Sequence, residues 1–222
     1  MESLSVIIPA WRAEKYLAEA VRSVRAQSWP GTLEIVIVDD GSDDGTLALA
    51  RELGDVVRTK ARGGAASARN LGLRAAGGEF LFLLDADDRL VPGALEGLYS
   101  AFRARPELAA CFGRARDFVS PELTREQQKG LRVREESYGG VLPGCALLRR
   151  RAFETVGFFD ESLSSGETVA WLMRLRDAAL PAASLELVTL ERRLHLSNTG
   201  RVNPEQEMRN YAAILRKRMG GA

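Results

Sequence analysis

The sequence predicts an α/β fold: a single domain on a mostly parallel central sheet, with helices on both faces. Three observations predict it. Short apolar runs alternate with segments of helical spacing through the N-terminal half, the order that builds a parallel sheet. The runs are unbroken rather than alternating with polar residues, as in strands buried on both faces. Two of them run directly into carboxylates, Asp39-Asp40 and Asp85-Ala86-Asp87-Asp88. Acids so placed lie at the carboxyl edge of the sheet, where open α/β folds bind ligands.

In order, Ser5-Val6-Ile7-Ile8-Pro9-Ala10 is the first strand, ended by proline. Leu17, Ala20, Val21 and Val24 share a helical face, so residues 13–27 read as an amphipathic helix broken by Pro30-Gly31. Glu34 to Val38 is the second strand, and Ser42 or Asp43 is placed to cap the helix carrying Leu49, Ala50 and Leu53. Val56-Val57-Arg58 is a short strand, and Gly63-Gly64 precedes an alanine-rich helix over 65–76. The central strand is 79–84. Pro92 starts a helix with Leu95, Leu98, Tyr99 and Phe102 on one face, and Asp88 is the acid placed to cap it. Ala109 to Phe112 is a further strand.

The pattern then changes. Residues 114–137 are rich in charge and poor in periodic apolar positions, and read as a mobile loop or flap, or a solvated surface excursion. Val141 to Leu148 restores order, and Arg149 to Arg151 reads as an exposed helix start. Gly157-Phe158-Phe159-Asp160-Glu161 is a turn. Trp171, Leu172 and Leu175 form a helical stripe after Gly166-Glu167, and Leu185 to Leu190 is a strand. Met208, Tyr211, Ala212 and Leu215 mark a terminal helix over about 204–218 with a basic end, as the helix dipole favours.

Composition narrows the function classes. The 222 residues suit one large domain, and 45% hydrophobic content supplies a substantial core. A net charge of +1 gives no pull toward nucleic acid. Cys111 and Cys145 make neither a zinc pattern nor a disulfide framework, so a reducing cytoplasm is the default reading. Met1-Glu2-Ser3 is not basic and Val6-Ile7-Ile8 is too short for a signal peptide. No segment approaches the roughly 20 apolar residues that span a bilayer, which leaves peripheral contact with the inner face of a membrane open. No GxGxxG follows the first strand and no GxxxxGK[ST] is present, which counts against dinucleotide enzymes and P-loop NTPases.

Clustered carboxylates repel one another. A hard divalent cation that also carries a substrate phosphate offsets that repulsion; the bland alternative is that the acids only cap the next helix. Carboxylates also accept hydrogen bonds from a base imide or from ribose hydroxyls. Arg69, opening the third helix, is placed to pair with one of these acids or to face a nucleotide.

Four segments in order, Ser5 to Trp11, Glu34 to Thr46, Gly64 to Gly72 and Leu83 to Asp88, resemble the family 2 glycosyltransferases of GT-A fold. So do Leu142 to Arg150, Val156 to Glu161 and the late Arg193-Leu194-His195-Leu196-Ser197. The resemblance implies a nucleotide-binding half over about 1–113 and an acceptor half over about 114–200. It implies a nucleotide-sugar donor, usually UDP-linked, a Mn2+ or Mg2+ ion, and inversion at the anomeric carbon. By position, Pro9, Ala10 and Trp11 with Asp39 and Asp40 line the nucleobase pocket, and Arg69 approaches the base. Asp85, with Ala86, meets the ribose, and Asp87 and His195 hold the metal. His195 is the chain's single histidine; apart from the motif it reads equally as a packed residue. Arg12 stands where the family has asparagine. Thr168 stands where the family has its base aspartate, in Gly166-Glu167-Thr168. Three readings follow: Glu167 serves as the base, the acceptor is already anionic, or the domain binds nucleotide sugar with little or no transfer. The acceptor, a glycan, lipid or peptide, and the oligomeric state are not encoded in any readable motif.

Overall fold

The computed structural model describes residues 2–139, 142–163 and 165–198. The expected terminal helix over 204–218 lies outside them, as does Val141. The described chain runs β1 (Ser3–Ala10), α1 (Leu17–Arg25), β2 (Thr32–Asp39), α2 (Thr46–Leu53), β3 (Val56–Thr59), α3 (Ala65–Ala75) and β4 (Phe80–Leu83). It continues through β5 (Arg89–Leu90), α4 (Ala94–Ala104), β6 (Ala110–Val119), α5 (Arg125–Gln128), β7 (Tyr138–Gly139) and β8 (Ala146–Arg149). Last come α6 (Arg150–Val156), α7 (Glu167–Asp177) and β9 (Ala182–Leu194).

The strands form one curled sheet in the order β3-β2-β1-β4-β8-β6-β9-β5, with β7 attached to β6. The first four are parallel, as the alternation predicts. Beyond β4 the sheet is mixed: β8 is antiparallel to β4 and β6, β9 is parallel to β6, and β5 and β7 join antiparallel. Alternate residues feed two apolar layers. Val6, Ile8, Ile35, Ile37, Phe80 and Phe82 pack under α1 and α4; Ile7, Val36, Leu81 and Leu83 pack with Leu73, Phe153 and Trp171 on the other face. Gly72 lets α3 lie close to the sheet, because a Cβ there would stand 2.4 Å from Ile7 Cγ2.

Several expectations are corrected. Residues 114–119 are the outer half of β6 and not a loop. Arg114 reaches Glu186 at 2.9 Å and Arg116 reaches Glu191 at 2.6 Å, so the charges that suggested a solvated excursion are cross-strand pairs, with Ala115 buried between them. Neither Ser42 nor Asp43 caps α2: both are taken up by Arg12. Asp44 and Glu14 serve that turn, accepting from the Thr46 and Gly45 N–H groups, each at 3.0 Å. Asp88 does not cap α4, since β5 intervenes and the cap is Gly93, with φ 77°. The Arg149–Arg151 triplet does open a helix, α6, and Arg151 is exposed, but Arg149 and Arg150 are half-buried. Arg149 lies over Phe80 at 4.7 Å, and Arg150 donates to the Ala76 and Gly78 carbonyls past the end of α3. No helix among the described residues is long and apolar enough to cross a membrane.

Candidate active site

β1 lies between β2 and β4, and its end registers with theirs: Ala10 pairs with Asp39, and Ile7 with Leu83. The two acid clusters therefore flank Pro9-Ala10-Trp11 at one edge.

On the first side, Asp40 is buried and both its oxygens are filled. Lys60 Nζ at 2.9 Å and the Gly63 N–H at 2.9 Å donate to Oδ1; Arg62 Nη1 at 2.7 Å and the Gly64 N–H at 2.8 Å donate to Oδ2. It clasps the loop before α3, so its acceptor capacity is taken up within the chain. Gly41 makes the clasp possible: its φ is +74°, and a Cβ would meet the Arg62 backbone nitrogen at 2.8 Å. Asp39 accepts only long bonds from the Ser42 N–H, at 3.3 and 3.4 Å, so it keeps acceptor capacity. Trp11 is 44% exposed, with the Arg62 guanidinium 3.6 Å from its ring centroid. Arg12 has φ +49° and forks onto Asp43 at 2.6 and 2.5 Å.

On the second side, Arg69 is 5% exposed. Its Nη2 meets Asp85 Oδ1 at 2.6 Å and its Nη1 pairs with Glu167 Oε1. It therefore joins the donor-side acid to the first turn of α7, and its terminal nitrogens face acids instead of a base. Its Nε, buried, has no hydrogen-bond partner among the described residues. Burial works against the guanidinium charge, but Asp85 and Glu167 outweigh it and raise its pKa. Glu167, one position before Thr168, thus points toward Arg69 and, through it, Asp85.

Asp87 Oδ2 lies 2.8 Å from His195 Nε2. The Ser197 N–H, 3.3 Å from Nδ1, can only donate, which makes Nδ1 the acceptor and leaves the ring proton on Nε2, toward Asp87. Asp88 is buried and accepts from the Arg193 N–H at 2.8 Å. Burial, reinforced by the charges of Asp87 and Asp85, holds its carboxyl well above the usual range. The acid cluster is thus relieved by Arg69 against Asp85 and by His195 against Asp87, while burial pushes Asp88 toward its neutral form.

Among the described residues no group of three or more acid, cysteine or histidine side chains could hold a metal alone. Asp87 and His195 supply one oxygen and one nitrogen donor. That fits a Mg2+ or Mn2+ that completes its shell with water and substrate phosphate oxygens.

Residues to which the sequence assigned no role of their own complete the edge. Arg193 donates from Nε to the Asp87 carbonyl at 2.8 Å, pairs with Glu19 of α1, and lies over Tyr16 and Phe118. Asn70 holds the 157–161 turn, donating to the Phe159 carbonyl at 3.0 Å and to Glu161 at 2.8 Å. The Asn70 signal, directly after Arg69, was present in the sequence; those of Lys60, Arg62 and Tyr16 depend on long-range partners that spacing does not encode.

Residues 5–157 match the family model described as Glycosyl transferase family 2. The chain is similar to the glycosyltransferase GlyG of Streptococcus pneumoniae, 36% identical over 104 residues, 44% of this chain and 34% of that protein. An uncharacterized glycosyltransferase of Rickettsia typhi is 30% identical over 173 residues, 72% of this chain and 54% of that protein. The chain therefore spans about half or less of the length of these curated relatives. Among solved structures, Staphylococcus aureus TarS in complex with UDP-GlcNAc superposes at TM-score 0.71 with 24% identity, over 89% of this chain and 60% of that one. A mannosyltransferase of Pyrobaculum calidifontis, PcManGT, in complex with GDP-Man and Mn2+, superposes at 0.71 with 19% identity, over 97% and 64%. These likenesses show the GT-A fold.

Proposed function

The chain belongs to glycosyl transferase family 2, and on that premise we propose that it moves a sugar from a nucleoside-diphosphate sugar, UDP-linked, to an acceptor nucleophile with inversion. The observation that carries this reading is the 2.8 Å meeting of Asp87 with His195, brought together over 108 positions at the carboxyl edge of β4. The relatives' names, TarS with UDP-GlcNAc and PcManGT with Mn2+ support the donor class and the cation.

Asp87 and His195 would hold the cation, which would offset charge on the departing diphosphate. To present a free Nε2, His195 would carry its ring proton on Nδ1 and donate a hydrogen bond to the Ser197 hydroxyl, 2.9 Å away, in place of accepting from the Ser197 N–H. Asp39 accepts from the base, Trp11 supplies its apolar face beside Pro9 and Ala10, and Asp85 and Ala86 flank the ribose. Glu167 takes the proton of a hydroxyl acceptor, with Arg69 fixing its direction. A second reading, binding without transfer, draws on the same ion pair: a carboxylate oxygen already engaged by Arg69 is not free to take a proton from an acceptor.

Incubation with UDP-sugars and Mn2+, following hydrolysis and transfer, separates the two. The expected result is transfer by wild type and a loss of about a hundredfold or more in kcat for Glu167→Gln, with UDP affinity kept. Binding without turnover for any donor and acceptor tried overturns transfer; full activity of Glu167→Gln removes Glu167 as base and points to an anionic acceptor; retention in the product by NMR refutes inversion.

A further inference from the structure

Beside the donor edge, four side chains, Tyr16, Glu122, Ser120 and Arg193, close a ring. The Tyr16 ring, at the start of α1, lies 5.2 Å from the His195 ring at a tilt of 42°. The Tyr16 hydroxyl donates to Glu122 Oε1 at 2.5 Å. Ser120, at the end of β6, donates to Glu122 Oε2 at 2.6 Å and accepts from Arg193 Nη1 at 3.3 Å. Arg193 closes the ring with its guanidinium 4.7 Å from the Tyr16 centroid, two residues before His195. Lys15 Nζ, 2.6 Å from Glu122, holds that carboxylate in place from outside. Burial, then the bond to Glu122, raises the Tyr16 phenol's pKa, so the hydroxyl remains a donor.

The His195 imidazole turns about its Cβ–Cγ bond, and hydrogen bonds at Nδ1 to Ser197 and at Nε2 to Asp87 are its polar restraints. The Tyr16 ring, 5.2 Å away and tilted by 42°, adds a steric restraint on the same rotation. We propose that Tyr16 is a positioning residue: latched through Glu122, it fixes the plane of the His195 imidazole and thereby the aim of Nε2 at Asp87 and the diphosphate-bound cation. The last part rests on the function proposed above. Tyr16 touches no reacting atom. Its contribution is to hold one orientation of His195 before substrate arrives, the work that partners of metal-binding histidines do.

Because His195 is the chain's single histidine, its Cε1–H gives one imidazole signal of its kind in the untagged protein. That signal, recorded by proton–carbon NMR at fixed pH, reports the Tyr16 contact without metal or substrate. Calorimetry then measures UDP with and without Mg2+. In Tyr16→Leu the His195 signal shifts, the affinity for UDP with Mg2+ falls about tenfold, and the affinity for UDP alone stays at the wild-type value. Tyr16→Phe keeps the ring and recovers most of the Mg2+-dependent affinity. Added to His195→Ala, Tyr16→Leu has no further effect. An unmoved His195 signal in Tyr16→Leu overturns the proposal, and so does a full additional loss in the double variant, because Tyr16 would then act apart from His195. Wild-type Mg2+-dependent affinity in His195→Ala refutes the cation role of His195 instead; the NMR signal then decides the orienting role by itself.

Discussion

Arg69 separates two acids that would otherwise face each other across the crevice, and it does so from inside the protein. Replacing it with methionine leaves Glu167, 9% exposed, and Asp85 without their cation. Removing one partner of a buried pair costs about 3–5 kcal/mol, and that loss is expected in the urea unfolding of Arg69→Met. A change under about 1 kcal/mol would mean that water screens the pair. The neighbouring aspartates are expected to divide their effects. Asp40 has four donors, so Asp40→Ala lowers stability by about 3 kcal/mol and weakens UDP binding through the loosened loop. Asp39→Asn lowers UDP affinity with little change in the melting temperature. Equal melting temperatures for the two variants would contradict this division. The sequence made Asp87 and His195 legible as a pair through their motifs. It could not tell Asp39 from Asp40, because that difference lies in which backbone N–H groups the following loop presents.

At the scale of elements, α3 is set against the sheet by a missing side chain. Gly72→Ala gains up to about 1 kcal/mol of helix propensity but drives a methyl to 2.4 Å from Ile7 Cγ2, an overpacking that costs about 1–3 kcal/mol. Net destabilisation is expected in thermal unfolding; a raised midpoint would show that Ile7 moves aside freely. β1, β2 and β4 were legible because both faces of their central stretches are buried, so each reads as an unbroken apolar run. β6 and β9 extend well past their apolar stretches, through Arg114, Arg116 and Arg192. Charges that pair across strands look, in one dimension, like a surface loop. The caps failed for a related reason: Ser42 and Asp43 answer to Arg12, thirty positions away, before they can answer to the adjacent helix.

At the scale of the whole molecule, a chain of ion pairs joins α1 to the far edge of the sheet. Arg116 pairs with Glu191, Glu191 with Arg89, Arg89 with Glu19, and Glu19 with Arg193. Burial raises the pKa of both Glu19 and Glu191, but the arginines outweigh it and hold both below the ordinary carboxylate value. A depressed folded pKa means that the stabilisation is complete above about pH 5 and is lost as pH falls below about 4.3. Glu19→Gln should therefore flatten the acid limb of the stability profile, and an unchanged slope would show that other carboxylates govern it. The parallel half of the fold was legible from its alternation; the antiparallel return through β8 was not, since no local pattern states which neighbour a strand will choose. Arg193 adds a consequence in time. A ribosome releases Asp88 and Glu19 long before the residue that covers one and neutralises the other, and a nascent chain ending at residue 157, where the family match stops, has every strand of the parallel half and no finished donor edge. Translation of the last strand is thus the step that turns a folded sheet into a site.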